Sequence, residues 1–266
     1  MLAKEFCSPS TSLTNYLFIA PLESHLDCTH LILAPQGPLH YLPLHAMHDG
    51  KRYLIDRFTV SYVPSASIYS LCHRMPEPPS SGSLVLGIED LQAPWILQEV
   101  REVASVLPES RLCVGPDARL SALQKWGHDC RLIHIATHGT FRSDNPLFSS
   151  VQLADSSLTV YELYNLRLRA ELLTLSGCAT GLNVVAAGDE LLGLTRGLLY
   201  AGAQSLLLTL WDVNDRSTAE FMRLFYTRFQ NGADKATALR DAILNLRERY
   251  PHPCHWAAFV LVGKIP

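Results

Sequence analysis

The stretch RLIHIATHG, residues 131–139, and its companion ELLTLSGC, residues 171–178, decide how this chain is read. Each is a short, nearly continuous apolar run that ends beside a glycine and a reactive side chain, His138 in one and Cys178 in the other. Continuous rather than alternating apolar character is what a strand covered on both faces requires. Further runs at 30–34, 58–63, 83–87, 205–210 and 257–262 predict the other strands of a mainly parallel sheet. Between them lie helical patterns. Residues 96–107 put Ile96, Val100, Val103 and Leu107 on one stripe, and 191–201 is rich in Leu with Gly202 placed as a C-terminal stop. Segments 215–230 and 234–250 also read as helices. Strands alternating with helices predict an α/β fold, a mostly parallel central sheet flanked by helices on both faces.

Organisation along the chain shows one break. Residues 74–82, RMPEPPSSG, are rich in Pro and Ser and read as an exposed linker. The expectation is a small N-terminal lobe over 1–73, a linker over 74–82 and a catalytic core over 83–266.

In an open parallel sheet, ligands bind beyond the C-terminal ends of the strands. His138 and Cys178 both follow predicted strands, so adjacent strands would bring them together at one rim. A neutral thiol is a poor nucleophile, and a neighbouring imidazole can take its proton and later protonate a departing amine. The flanking glycines 139 and 177 let a backbone approach a substrate closely. The amides of Gly139 and Cys178 are then candidates for holding a tetrahedral oxyanion. Taken alone, each residue also fits a bland role: Cys178 as a packed thiol, His138 as the cap of a loop. His134, inside the same run, reads as a core or sheet-face histidine.

Other chemistries fit less well. There is no G-x-S-x-G elbow, no G-x-x-x-x-G-K-[ST] loop and no G-x-G-x-x-G turn. The seven cysteines are scattered, with no C-x-x-C pair, so neither a disulfide framework nor a zinc site is predicted. His252 and His255 flank Cys254 between two prolines and read as a packed turn. A formal net charge of −3 argues against nucleic acid or an anionic membrane as partner. No run approaches the roughly 18 apolar residues of a membrane span, and the N-terminal stretch lacks a basic head with a long apolar run. The expected location is cytoplasmic, and the expected cofactor and metal content is none.

At these residues the sequence resembles the CHAT family, caspase-like peptidase domains often attached to TPR repeats and related to separase and the caspases. HLILAPQGPLHYLPLHAM followed by FTVSYVPSAS resembles the family's N-terminal portion. IHIATHGTF carries the family histidine and LLTLSGCATG its cysteine, followed by the long signature GDELLGLTRGLLYAGAQSLLLTLWDVNDRST and the closing HPCHWAAFVLVG. The chain has Ser176-Gly177-Cys178 where many members have Ala before the cysteine, and Gly188-Asp189-Glu190 where G-E-G is common. The resemblance implies a caspase-like three-layer sandwich with His138 and Cys178 as a catalytic dyad acting on a protein substrate.

It also implies a sensor, either a TPR-type domain or a separate partner protein. By comparison with caspases and separase, Trp211 and Asp212 belong to the substrate pocket, Asp212 receiving a basic P1 side chain and Asp215 standing as second candidate. Asp215 equally fits the N-cap of the following helix. The 179–189 loop, with glycines at 181 and 188, has the composition of a switch or of an ordinary surface loop. Two readings remain open: an intracellular cysteine endopeptidase, or a silent interaction module that keeps the fold. A small-ester acyl hydrolase is disfavoured by the missing elbow.

Overall fold

A computed structural model of the chain describes residues 19–88, 93–140, 142, 145–177, 183–185 and 191–265. Its strands, in chain order, are β1 (His30–Leu33), β2 (Thr59–Tyr62), β3 (Ser83–Gly87), β4 (Ser110–Val114), β5 (Leu132–Ala136), β6 (Gly139–Thr140), β7 (Ser150–Gln152), β8 (Ser157–Thr159), β9 (Leu172–Ser176), β10 (Asn183–Val185), β11 (Leu191–Gly193), β12 (Ser205–Thr209) and β13 (Phe259–Gly263). The α-helices among the described residues are α1 (Leu54–Arg57), α2 (Ala66–Arg74), α3 (Ile96–Val106), α4 (Leu120–Trp126), α5 (Val160–Leu163), α6 (Leu194–Ala201), α7 (Asp215–Gln230) and α8 (Lys235–Arg249).

The central sheet has eight strands in the order β1-β2-β13-β12-β9-β5-β3-β4. Neighbours pair in parallel except β12 with β13, which are antiparallel. Strands β12, β9, β5, β3 and β4 therefore run together, and β13, β2 and β1 run against them. The expected mostly parallel sheet is present, and the apolar runs have the predicted cause: every residue of β3, β5, β9, β12 and β13 is buried. Strand β4 was not expected from the sequence. It is an edge strand with Arg111 and Leu112 exposed and Cys113 buried, so it lacks the continuous apolar run that marks a central strand.

Register shows why the architecture has three layers. Successive residues of a strand face opposite sides. On β5, His134 meets Glu99 of α3 and Tyr226 of α7, whereas its neighbour Ile133 lies under Gly127, just after α4. Helices α3, α7 and α8 pack together on the first side. On the second, α5 and α6 pack together, and a Cβ at Gly197 would fall 2.9 Å from Leu163.

The predicted helix over 191–201 needs correcting at its start. Residues Leu191–Gly193 pair antiparallel with Asn183–Val185, and α6 begins only at Leu194. The Leu-rich window has helical spacing, but its first residues are taken by a hairpin. The predicted stop is where expected: Gly202 has φ +114°, and a Cβ there would lie 2.0 Å from the Leu168 carbonyl oxygen.

Residues 75–82 form no helix or strand, yet they are pinned. The Pro76 carbonyl accepts from Gln204 Nε2 (2.8 Å) and the Glu77 carbonyl from Arg169 Nη2 (2.6 Å). Strands β1 and β2 of the 1–73 segment continue the central sheet. The Arg240 side chain closes the end of α1, donating to the carbonyls of Ile55 and Asp56 at 2.8 Å each.

Candidate active site

The site is built where β5, β9 and β12 end. Ala136 and Ser176 are direct partners in the sheet, and Thr137 N–H donates to the Ser176 carbonyl at 2.9 Å, so pairing runs to the last residue before His138. His138 and Cys178 each follow that paired couple by two residues. The Thr137 hydroxyl donates to the Gln152 carbonyl (2.6 Å), tying the strand end to β7. On β12, the Thr209 hydroxyl donates to the Gly177 carbonyl at 2.5 Å. The backbone leading into position 178 is thus held from the next strand. Cys178 itself and most of the 179–189 loop lie outside the described residues.

Gly139 begins the small antiparallel sheet of β6, β7 and β8. Gln152 N–H donates to the His138 carbonyl at 2.9 Å, which makes Gly139 and Val151 a wide, non-hydrogen-bonded pair of that ladder. The Gly139 amide therefore points away from β7, as a donor to an oxyanion would have to.

His138 is half-buried and lines a narrow, open cleft whose enclosed space is about 30 Å³, room for a water or two. The same cavity is walled by Thr137, Ser176, Gly177, Thr209, Asp215, Glu99 and apolar side chains of α3 and the loop before α7. A small concave site with convergent polar groups is the usual form of a binding site. Asp215, the second of the two sequence candidates, is a wall of it. It does not cap α7: Asn214 does, its Oδ1 accepting from Arg216 N–H (3.2 Å) and Ser217 N–H (3.3 Å). The cap lies one residue earlier than expected, which leaves Asp215 as the first helical residue, half-buried beside the cavity.

The other pocket candidates lie apart. Trp211 is half-buried and donates its Nε1–H to the Cys254 carbonyl at 3.0 Å, while Asp212 is exposed and outside the cavity walls. His252 and His255 sit in a tight turn, His252 Nδ1 accepting from Cys254 N–H (3.4 Å) and His255 packing on Tyr250.

Sequence reading missed a buried polar chain beneath the cavity. Glu99 Oε1 accepts from His134 Nε2 at 3.0 Å, His134 Nδ1 lies 3.3 Å from the Tyr226 hydroxyl, and that hydroxyl lies 2.7 Å from Thr174 Oγ1. Glu99 is 2% exposed and the other three are fully buried. Burial, with the negative charge of Glu99 adding to it, pushes the Tyr226 phenol upward, so its proton stays on. One signal was visible: Glu99 is a charged residue three positions after Ile96, on the apolar stripe of its helix.

An α/β sandwich with a mostly parallel eight-stranded sheet of this order is a caspase-like fold. Solved structures share it. The Saccharomyces cerevisiae separase–securin complex matches with a TM-score of 0.65 at 18% identity, over 89% of this chain and 16% of that one. The Porphyromonas gingivalis RgpB pro- and mature-domain complex matches at 0.63 and 10% identity, over 98% of this chain and 71% of that one. The chain belongs to the CHAT domain family, whose model matches residues 8–264. Tetratricopeptide repeat protein 28 of Mus musculus is 27% identical over 93% of this chain, and that of Homo sapiens 26% over 97%. The chain spans 13% of the length of each of these relatives. Among the described residues no helix is long and apolar enough to cross a membrane.

Proposed function

We propose that this domain is an intracellular cysteine endopeptidase with Cys178 as nucleophile and His138 as its base. The observation that carries the reading is the cavity itself: His138, Gly177 and Asp215 wall one concave site at the strand ends, beside a Gly139 amide that its own ladder does not use. His138 takes the thiol proton as the sulfur adds to the scissile carbonyl, and the oxyanion is held by the amides of Gly139 and Cys178. His138 then gives the proton to the leaving amine, and water, deprotonated by the same imidazole, releases the acid from the thioester.

Specificity for a basic P1 side chain is assigned to Asp215, because it is the acidic sequence candidate that reaches the cavity. Trp211 and Asp212, also expected at the substrate pocket, lie outside its walls. The relatives are tetratricopeptide repeat proteins and one structural neighbour is bound to securin, which supports control by a TPR-type region or a partner protein.

The test is labelling of the native protein by an acyloxymethyl ketone peptide carrying Arg at P1. Wild-type protein should be labelled at Cys178 and the Cys178→Ala protein should not. Labelling that survives the substitution, or a wild type that never reacts while the fold is intact, would leave the silent interaction module as the better reading.

A further inference from the structure

Two helices leave the cleft side by side and carry a charged groove away from it. Ile96 of α3 and Asp215 of α7 are walls of the cleft, and the residues next to them, Trp95 and Arg216, begin a shallow groove of about 310 Å³ between the same helices. It continues past Ala219 to Glu102 and Arg223. Arg216, Ala219 and Arg223 share one face of α7, three and four residues apart, so the small side chain leaves a hollow between two long ones. Three arginines against two glutamates line this groove, in a chain whose formal net charge is −3.

The three guanidiniums are not equally engaged. Arg249 closes on Glu220 at 2.6 Å, as a solvated surface charge commonly does. Arg223 lies 3.9 Å from Glu102, whose other oxygen accepts from Gln98 Nε2 at 2.7 Å. Arg216 lies over the Trp95 ring, 5.5 Å from its centroid, and has no carboxylate within ion-pair distance among the described residues. An indole beneath a guanidinium fixes its place without using any of its five N–H donors. Arg216 is thus held ready for an acceptor that the described residues do not supply.

We infer that the α3–α7 groove is a docking surface for an acidic segment of the protein substrate, its carboxylates seated on Arg216 and Arg223. That the occupant is a substrate rests on the peptidase reading; that it is acidic does not. Groove and cleft are contiguous, so a segment in the groove and a scissile bond in the cleft can belong to one chain. Spacing sets the pattern. The two arginines are seven positions apart on α7, about 10 Å along the helix axis. An extended chain at roughly 3.3 Å per residue covers that distance in three, so two acids three positions apart match both guanidiniums. Each carboxylate then takes the charge-assisted fork that arginine forms best.

The groove is tested first without turnover. In the Cys178→Ala protein, NMR titration with acetyl-Glu-Ala-Ala-Glu-amide should move the Trp95 indole N–H signal saturably, and the Gln-Ala-Ala-Gln peptide should not. Arg216→Gln and Arg223→Gln should each weaken binding by ~3- to 10-fold, the scale of one well-formed exposed charge pair, and the adjacent acids of Ala-Glu-Glu-Ala should bind more weakly than the spaced pair. Arg216→Lys keeps the charge but not the fork and should recover only part of the loss. In the active protein, joining Glu-Ala-Ala-Glu to a P1-Arg peptide through a flexible linker should lower KM by ~3- to 10-fold with kcat unchanged. Arg216→Gln should abolish that gain and leave the unextended peptide unaffected. Equal affinity for the acidic and neutral peptides, or acidic binding indifferent to Arg216 and Arg223, overturns the inference. Binding that needs both arginines in a protein that cleaves nothing keeps the acidic docking surface, removes the peptidase reading and makes the occupant a partner's segment. Cleavage to which neither the acidic extension nor Arg216 matters removes the docking surface and leaves the peptidase reading standing.

Discussion

The two rims of the sheet are made by the same strands and use their polar side chains in opposite ways. Where β5, β9 and β12 begin, the preceding residues are Arg131, Glu171 and Gln204. Arg131 pairs with Glu171 at 2.5 Å, Glu171 reaches the buried Lys235 at 3.6 Å, and Gln204 bonds the Pro76 carbonyl. Where the same strands end, His138, Gly177 and Asp215 surround an open cavity. The first rim closes its charges on the protein itself. The second borders an open cleft at the strand ends, the place where sheets of this type bind ligands. The closed charges and the open cleft thus stand at opposite ends of the same five-residue strands.

The sharpest way to break that comparison is to alter one charged residue at each rim. His138→Ala should lower kcat/KM by ~10³-fold or more, because both proton transfers lose their carrier, and should leave the melting temperature nearly unchanged. Glu171→Ala should do the opposite. It strips the counter-charge from Lys235, whose ammonium burial already pushes it below the usual lysine range and Glu171 holds up. The cost should be about 2–4 kcal/mol, below the full penalty for a broken buried pair because Glu171 is partly exposed, with kcat/KM unaffected. Calorimetry and steady-state rates on the two variants decide it. If Glu171→Ala impairs turnover without melting the protein earlier, the rims are not independent.

Much of this division was legible beforehand, for a physical reason. Apolar runs located seven of the eight central strands, and the five that are buried along their whole length left the clearest of them. Strand β4 could not, because an edge strand with Arg111 and Leu112 in solvent carries no such run. The hairpin of β10 and β11 hid inside a Leu-rich window whose spacing also suits a helix. His134 was recognisable as a buried histidine, but its partners lie 35 and 92 residues away, and nothing local announces them. Glu99 left a faint mark as a charge on an apolar stripe. That Asp215 and not Asp212 lines the cleft needed three dimensions, as did the finding that Asn214 rather than Asp215 caps the helix. The pairing of His138 with Cys178 was read from ordered family motifs as much as from strand-end placement.

Proton binding should separate the body from the cavity as well. His45 is fully buried, its Nδ1 taking a hydrogen bond from the Tyr62 hydroxyl at 2.8 Å, and burial lowers it to about 3. The unfolded chain binds that proton near the ordinary histidine value of 6.5. The stabilisation is therefore whole above pH 6.5 and is lost as the pH falls towards 3, at up to about 1.4 kcal/mol per pH unit. Burial lowers His30 and His255 as well, adding loss of the same sign. Denaturant midpoints measured from pH 7 to pH 4 should fall accordingly, and His45→Gln should flatten the slope by one proton. An unchanged slope would mean that His45 is not the group responsible.

The smallest effect tests the one structure that joins the two regions. The Tyr226 hydroxyl stands between Thr174 of β9 and His134 of β5, one layer beneath the cavity, and Tyr226→Phe removes it without changing the shape of the ring. Two buried partners lose a bond, which should cost about 1–2 kcal/mol in a denaturant titration. If the chain merely braces the core, turnover well below the melting temperature should be unchanged. If it also holds Glu99 in the cavity wall beside His138, kcat/KM should fall by about twofold to fivefold at that temperature, since a loosened wall costs only a fraction of a hydrogen bond. Turnover and stability measured on the same variant then say whether the two meet at this hydroxyl or only pass close to it.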